Sequence, residues 1–524
     1  MNPFLATDGY KTGHHKMYPE GTTLVYSNFT PRSNRHAPKG CDMVVSFGQQ
    51  MVMRQIKEMF DDYFFLYPTT KGLRGKKNEE IKSTCKFYRN NICQEIQKEY
   101  SLYLGAEYDV SHIEDLWDLG YLPIKVKSLP EGTLVPMGVP VLTIYNTKPE
   151  FFWLTNFLET LISNLLWKPM TSATLANQYK NNLVSWATKT DKENLSFVEF
   201  QGHDFSMRGL SGIDSVIQSG LGHATSFLGS DSLPVIYGAR KYYDETDFVV
   251  GSVNATEHSV MCAGNKGDEI ETFKYLMNQF PEGILSIVSD TWDLWKVITE
   301  YLPILKQEIL TRDGKIVIRP DSGDPVDIIC GLKGTKESFT GEEVRHPSYK
   351  GVIELLWDIF GGTINEQGYK VLDPHIGAIY GDSITITRAE EICKRLENKG
   401  FTSTNIVLGI GSFTYQFNTR DTFGFAMKAT YVEVENFNDN CTSGMPTIEG
   451  REIFKDPITD DGTKKSAKGL LKVEIESETI QDYNYVLKDQ VSWTEEDNGF
   501  LKTIFEDGKF YNQITLTEIR EKLN

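Results

Sequence analysis

The residues with chemistry in them stand where apolar runs end. GILSIVSD stops at Ser289-Asp290, KIVIRPDSG at Arg319-Pro320-Asp321-Ser322-Gly323, IGAIYGD at Gly381-Asp382 and NIVLGIGS at Gly409-Ile410-Gly411-Ser412. VEF leads into His203-Asp204-Phe205 and then Arg208-Gly209, and Glu257-His258 precedes an apolar turn. One acid at a strand end is ordinary turn chemistry. Successive ends bearing Asp, Arg-x-Asp, Gly-Asp and Gly-x-Gly point instead to a site. Carboxylates accept hydrogen bonds from vicinal sugar hydroxyls, and Arg208 and Arg319 could grip a diphosphate bidentately. Glycines 381, 409 and 411 would let backbone N–H groups approach a phosphate. The expected chemistry is therefore phosphate and sugar recognition. G-x-x-x-x-G-K-[ST] and a full G-x-G-x-x-G are both absent, which excludes a P-loop nucleotidase and leaves dinucleotide binding unsupported. His258 has no second histidine at metal-ligand spacing, so zinc is not expected, and a structural role for this lone histidine stays open.

The elements that must position these residues follow from the apolar pattern. Between about 195 and 412 the runs LSFVEFQGHD, LPVIYGA, GILSIVSD, KIVIRPDSG, IGAIYGD and NIVLGIGS alternate with helical stretches. Continuous apolar strands between helices imply a parallel sheet covered on both faces, and with this many units an α/β barrel is expected over an open sheet. Its active site would lie at the carboxyl ends of the strands. Outside it, 22–29 and 122–145 read as strands, and 47–104 carries helical periodicity through Met51, Val52, Ile56, Met59, Phe60 and Tyr63. A helix is predicted over 151–167 and another over 172–188. The tail from about 425 reads as strands that rejoin the N-terminal ones. The expected architecture is an irregular parallel α/β barrel (191–414), an interleaved β-rich subdomain (1–30, 120–148 and 415–524) and a helical subdomain (31–119 and 149–190).

The 524 residues, 40% hydrophobic and 24% charged, have the composition of a globular protein of several domains. A net charge of −18 argues against nucleic acid or an anionic membrane as partner. Residues 1–40 run the other way, with Lys11, Lys16, Arg32, Arg35 and Lys39 against Asp8 and Glu20, as a solvated face or a local anion site would. The seven cysteines form no C-x-x-C pair, which fits a reducing compartment. The N-terminus lacks a signal pattern, and the most apolar stretch, Phe151 to Trp167, carries Asn156, Glu159 and Asn164. A cytoplasmic location is expected.

Read in order, LATDGYK, EGT, WLTNFLET, HDFSMRG, LGSDS, EHS, IVSDTWDLW, IRPDSGDP, YGDSI, GIGS, the TRD of 419–421 and the FKDP of 454–457 resemble the nicotinamide phosphoribosyltransferases, type II phosphoribosyltransferases, over almost the whole chain. The resemblance implies transfer of a phosphoribosyl group from phosphoribosyl diphosphate to nicotinamide, in NAD salvage. It also implies Mg²⁺ held mainly by the substrate diphosphate with no direct protein ligand, coupled ATP hydrolysis, and no flavin, haem or zinc. It implies a homodimer with shared sites. Phe205 and a Tyr10 contributed by the partner subunit would sandwich the base, with Arg319 beside it and Asp231 accepting from the carboxamide. Arg208, His258, Asp290 and Arg319 would surround the diphosphate. Asp321, Gly381 and Asp382 would bind ribose, and Gly411, Ser412 and Arg420 its 5-phosphate. His258 matches the histidine that the family phosphorylates from ATP, and Arg32, Lys428 and Lys455 resemble basic residues near the diphosphate or ATP phosphates. His258, Asp290, Arg208, Arg319 and Asp321 are thus the expected catalytic set. GIGSF is poorer in glycine than the family's usual phosphate loop, Ser206-Met207 replaces its small-aromatic pair, and Lys333–Tyr349 reads as a surface insertion. A nicotinate-using relative and a catalytically silent binding or signalling member are the alternatives. Asp231 argues against the first and the retained Asp290, Arg319, Asp321 and His258 against the second.

Overall fold

The computed structural model describes residues 1–65, 78–334, 338–381, 383–436, 447–455, 467–478 and 483–523. Two compact units emerge, one of residues 1–171, 242–244 and 419–523, the other of 172–241 and 245–418.

The second unit is built on seven parallel strands: β1 (Gly202–Asp204), β2 (Gly229–Ser230), β3 (Asn254–Ala255), β4 (Glu282–Val288), β5 (Asp313–Arg319), β6 (Ile376–Tyr380) and β7 (Ile406–Ile410). Their order across the sheet is β2-β1-β7-β6-β5-β4-β3. The sheet curls until its edges meet. On one side Gly251 is bridged to Gly229, its N–H donating to Leu228 O and its carbonyl accepting from Ser230 N. Three residues on, β3 pairs with Leu285 and Ser286 of β4. The result is the irregular parallel barrel that the apolar runs implied. The central strands are wholly or largely buried, as strands wrapped by helices must be.

Two runs read as strands are not. VEF lies in the helical turn Val198–Gln201, and only the following Gly202–Asp204 is extended. LPVIYGA enters the helix Pro234–Tyr243, because Pro234 suits a first helical turn and Val235 and Ala239 bury one face. The two helices expected over 151–167 and 172–188 are one, Phe152–Thr190, with Pro169 inside it. Proline removes one backbone donor there, yet Met170, Ala173 and Ala176 are fully buried beyond it, so packing sustains the helix.

The first unit carries a seven-stranded antiparallel sheet in the order Thr447–Glu452, Ala426–Asn436, Thr22–Thr30, Leu142–Asn146, Ile124–Ser128, Lys502–Glu506 and Lys509–Phe510. N-terminal and C-terminal strands therefore share one sheet. The short 3₁₀ helix Gly9–Lys16 is anchored by Lys11, whose buried ammonium donates to Glu159 Oε2 at 2.6 Å and Asn156 O at 2.7 Å. Glu159 Oε1 in turn accepts from Ser27 Oγ at 2.7 Å. No helix among the described residues is long and apolar enough to cross a membrane.

Candidate active site

The barrel strands deliver their polar ends to one region. At the end of β4, Asp290 is almost fully buried, and its Oδ2 accepts from the N–H groups of Asp321 (2.9 Å) and Ser322 (2.7 Å) and from Ser322 Oγ (2.5 Å). That ties the β4 end to the Arg-Pro-Asp-Ser turn after β5. Among the described residues Asp290 Oδ1 and Asp321 Oδ1 have no hydrogen-bond partner, and neither has Arg319 Nε. Buried polar atoms left open in this way are costly unless a ligand meets them. Gly381, at the end of β6, explains the room: a Cβ there would stand 2.3 Å from Asp321 Oδ1 and 2.8 Å from Arg319 Nε. Asp382 lies outside the described residues.

His258 opens the helix His258–Ala263, half exposed. Its Nδ1 contacts Thr291 Oγ1 at 3.1 Å, which leaves Nε2 facing Asp290 Oδ1 at 4.0 Å and Asp321 Oδ2 at 3.9 Å. Tyr380 is held above its ordinary pKa by burial and then by the charges of Asp290, Asp321 and Asp324, and it donates to Gly323 O at 2.9 Å. Among the described residues no cluster of three His, Cys, Asp or Glu is arranged to hold a metal ion.

Beside the two aspartates a cavity of about 530 Å³ enters the barrel, with His203, Phe205, Asp231, Ser252 and Arg319 in its wall. The Arg319 guanidinium lies over the Phe205 ring at 5.1 Å, and its Nη1 donates to Thr256 O at 3.3 Å. Asp231 Oδ1 meets His203 Nε2 at 2.9 Å and accepts from Ser252 Oγ. Burial alone would raise the Asp231 pKa, but those two hydrogen bonds and the nearby Arg319 charge outweigh it and hold the pKa below its ordinary value. Asp231 thus stays an acceptor-only group, with Oδ1 occupied and Oδ2 without a hydrogen bond among the described residues.

Arg208 is exposed on the turn Met207–Gly209. That turn sits against the Gly411-Ser412 end of β7, since a Cβ on Gly209 would fall 2.1 Å from Ser412 Oγ. The second unit thus brings together Phe205, Asp231, Arg319, His258, Asp290, Asp321 and Gly381, and sets Arg208 beside Gly411 and Ser412. Tyr10, Arg32, Arg420, Lys428 and Lys455 belong to the first unit. Tyr10 is 65% exposed. Arg32 Nε donates to Gly424 O at 3.0 Å, and its pKa is lowered first by burial and then by the Arg420 charge. Arg32 and Arg420 therefore form a local cationic pair. Lys428 lies on the strand Ala426–Asn436 paired with Asn28, and Lys455 is exposed.

Two residues of the cavity wall escape sequence reasoning. His203 reads only as the first letter of HDF. Ser252 lies in VVGSVNA, where nothing in spacing relates it to Asp231.

Comparison with known proteins shows the family. Residues 200–490, more than half of the chain, match the model of the nicotinate phosphoribosyltransferase (NAPRTase) family. Residues 2–60 match that of the nicotinamide phosphoribosyltransferase N-terminal domain. A nicotinamide phosphoribosyltransferase of Acinetobacter baylyi is 48% identical, covering 100% of this chain and 97% of the relative. One from Mycoplasma pneumoniae is 35% identical over 90% of this chain and 95% of its own. The crystal structure of nicotinate-nucleotide pyrophosphorylase from Pyrococcus furiosus superposes with a TM-score of 0.51 at 13% identity, covering 100% of this chain and 94% of that one, which shows a shared fold. By sequence over its full length, the chain belongs to the nicotinate phosphoribosyltransferase family and, within it, to the nicotinamide phosphoribosyltransferases.

Proposed function

We propose that the chain transfers the phosphoribosyl group of phosphoribosyl diphosphate to the ring nitrogen of nicotinamide, giving nicotinamide mononucleotide and diphosphate in NAD salvage, as a cytoplasmic homodimer with shared active sites. The observation that carries this reading is Asp231, ionised in the pocket wall with one oxygen fixed by His203 and Ser252 and the other without a hydrogen bond among the described residues. A carboxylate so placed accepts from a carboxamide NH₂ and repels the carboxylate of nicotinate.

In the transfer, the bond from C1 to the diphosphate oxygen breaks and the bond from C1 to the pyridine nitrogen forms. Charge develops on the departing diphosphate, where Arg319 and Arg208 supply cations. Nicotinamide is a weak nucleophile, so the flat Phe205 face and the fixed Asp231 contribute mainly alignment. Asp321, Asp382 and the side-chain-free Gly381 would take the ribose hydroxyls. Gly411 and Ser412, with Arg420, would take the 5-phosphate. The open carboxylate oxygens of Asp290 and Asp321 suit the water shell of a Mg²⁺ ion carried by the diphosphate, which would further neutralise the leaving group. In the tautomer whose Nδ1–H donates to Thr291, His258 presents an Nε2 lone pair that could take the γ-phosphoryl group of ATP, releasing ADP, with Asp290 and Asp321 balancing the resulting imidazolium. Arg32, Lys428 and Lys455 would serve the phosphates of that exchange.

Product analysis with phosphoribosyl diphosphate and either base, with and without ATP, tests the proposal. Nicotinamide mononucleotide should form with nicotinamide and rise with ATP, and preferential use of nicotinate would overturn it. Replacing Asp231 by serine should cost nicotinamide use about 10- to 150-fold, the worth of roughly 1.5–3 kcal/mol for a hydrogen bond to a charged group, and relieve the repulsion of nicotinate. Equal losses for both bases in competition assays would remove Asp231 from this role. Replacing His258 by alanine should abolish ATP hydrolysis linked to synthesis yet leave ATP-independent product. Full ATP stimulation in that variant would exclude the histidine as phosphoryl carrier.

A further inference from the structure

The cavity does not end at the base pocket. Its wall follows the barrel axis from Arg319, at the carboxyl end of β5, past Val317 and Ala378 to Lys315 and Ile376 at the amino ends of β5 and β6. A parallel α/β barrel normally fills this axis with interlocking side chains. Along β5 the alternation of the strand sets Lys315, Val317 and Arg319 on the axial face and buries Ile316 and Ile318 on the other. Four residues of strand separate Lys315 from Arg319 by about 13 Å, so the two cations serve different ends of the channel.

Lys315 is out of keeping with its surroundings. Its stem occupies the space that Gly377 leaves, since a Cβ at 377 would come within 3.2 Å of Lys315 Cδ. The cavity wall also carries the apolar Val317, Ile284, Ile376, Val371 and Phe197. Lys315 forms no hydrogen bond or ion pair among the described residues. The opposing charge it senses is Asp373, whose Oδ1 is engaged by His375 through both N–H (2.9 Å) and Nδ1 (2.8 Å). Two polar side chains of the wall are spent as well, while Ser286 Oγ has no hydrogen-bond partner among the described residues. Asn405 Oδ1 accepts from Leu372 N and its Nδ2 donates to Lys370 O, while Thr404 donates to Asp191. Burial, only partly offset by Asp373, lowers the Lys315 pKa. A cation kept in an apolar passage without a partner is costly, and an anion that meets it recovers that cost.

We infer that the Lys315 end of the channel is a second ligand site, for a flat, apolar-bodied anion bearing one carboxylate, of the benzene- or pyridine-carboxylate class. The aliphatic and aromatic walls accept the ring, and one ammonium accepts one carboxylate. A phosphate would need several donors, and among the described residues of the wall Lys315 is the one lysine, with Arg319 at the other end. The two ends of the channel thereby select opposite members of one chemical pair: Asp231 admits the amide and Lys315 the acid.

Benzoate is the probe, because without a ring nitrogen it cannot be a phosphoribosyl acceptor and the result does not depend on the transfer reaction. Titration calorimetry should show saturable benzoate binding to the full chain. Lys315→Met should weaken it at least about tenfold, Lys315→Arg should retain it, and Arg319→Ala should leave it nearly unchanged. Absence of saturable binding, undiminished binding in Lys315→Met, or a loss confined to Arg319→Ala would overturn the inference. A measurement on the unaltered protein guards against a folding defect. Benzoate should slow acetylation of Lys315 by acetic anhydride relative to exposed lysines, read by mass spectrometry, and an unchanged rate would equally overturn it.

Discussion

Replacing Arg319 by alanine should lower kcat/KM for nicotinamide by about 10²- to 10³-fold, the usual cost of deleting one preorganised group that faces developing charge. The guanidinium is nine-tenths buried, fixed by Thr256 O and laid over the Phe205 ring, and its Nε has no partner among the described residues. It is thus held ready at little further ordering cost. Arg319→Lys should recover little, since a compact ammonium has neither the flat face over Phe205 nor the forked donors. Steady-state kinetics with an unchanged melting temperature would establish the effect. A loss below about tenfold would remove Arg319 from the leaving-group clamp.

Tyr10→Ala should also lose most activity with its fold intact, and mixing it with Arg319→Ala should bring activity back. Tyr10 is 65% exposed on a helical turn whose next residue, Lys11, is tied into the core of its unit by Glu159 and Asn156. An aromatic presented outward from so firm a base is placed to be used by another molecule. In an isologous dimer with shared sites, a mixed dimer has one site with both lesions and one with neither. Random exchange makes half of the dimers mixed, so about a quarter of full activity should return. No recovery after exchange has been demonstrated by mass would show that Tyr10 serves its own chain.

The strand ends were legible because the same residues report position and chemistry. Apolar runs of five to seven residues that stop in Asp, Arg-Pro-Asp or Gly mark both the end of a buried strand and a polar site, and β4 to β7 follow them. Where strands shrink to two residues, as in β2 and β3, no periodicity can form, and their place comes only from pairing with neighbours far along the chain. VEF and PVIYGA misled because short apolar runs suit either a buried strand or a buried helix face. The grip of His203 and Ser252 on Asp231 was invisible, since it spans three separate strand ends and depends on closure of the barrel. Asn156 and Glu159, by contrast, were visible as polar residues in an apolar helix. Their reason is Lys11, whose buried charge requires them.

The barrel is a hoop of unequal staves. β4 and β5 pair through seven residues, whereas the hoop is completed at β2 and β3 by the bridge at Gly251 and two residues of pairing. Breathing of such a ring concentrates where the fewest amides are locked. Ser252 stands at that joint and Asp231 directly follows β2, so the groups proposed to judge the base ride on its most compliant part. Asp290, Asp321 and Gly381, proposed to face the sugar and its leaving group, ride on the stiffest. On that proposal, a new base preference should be reached by altering the joint while the rigid arc is left as it stands.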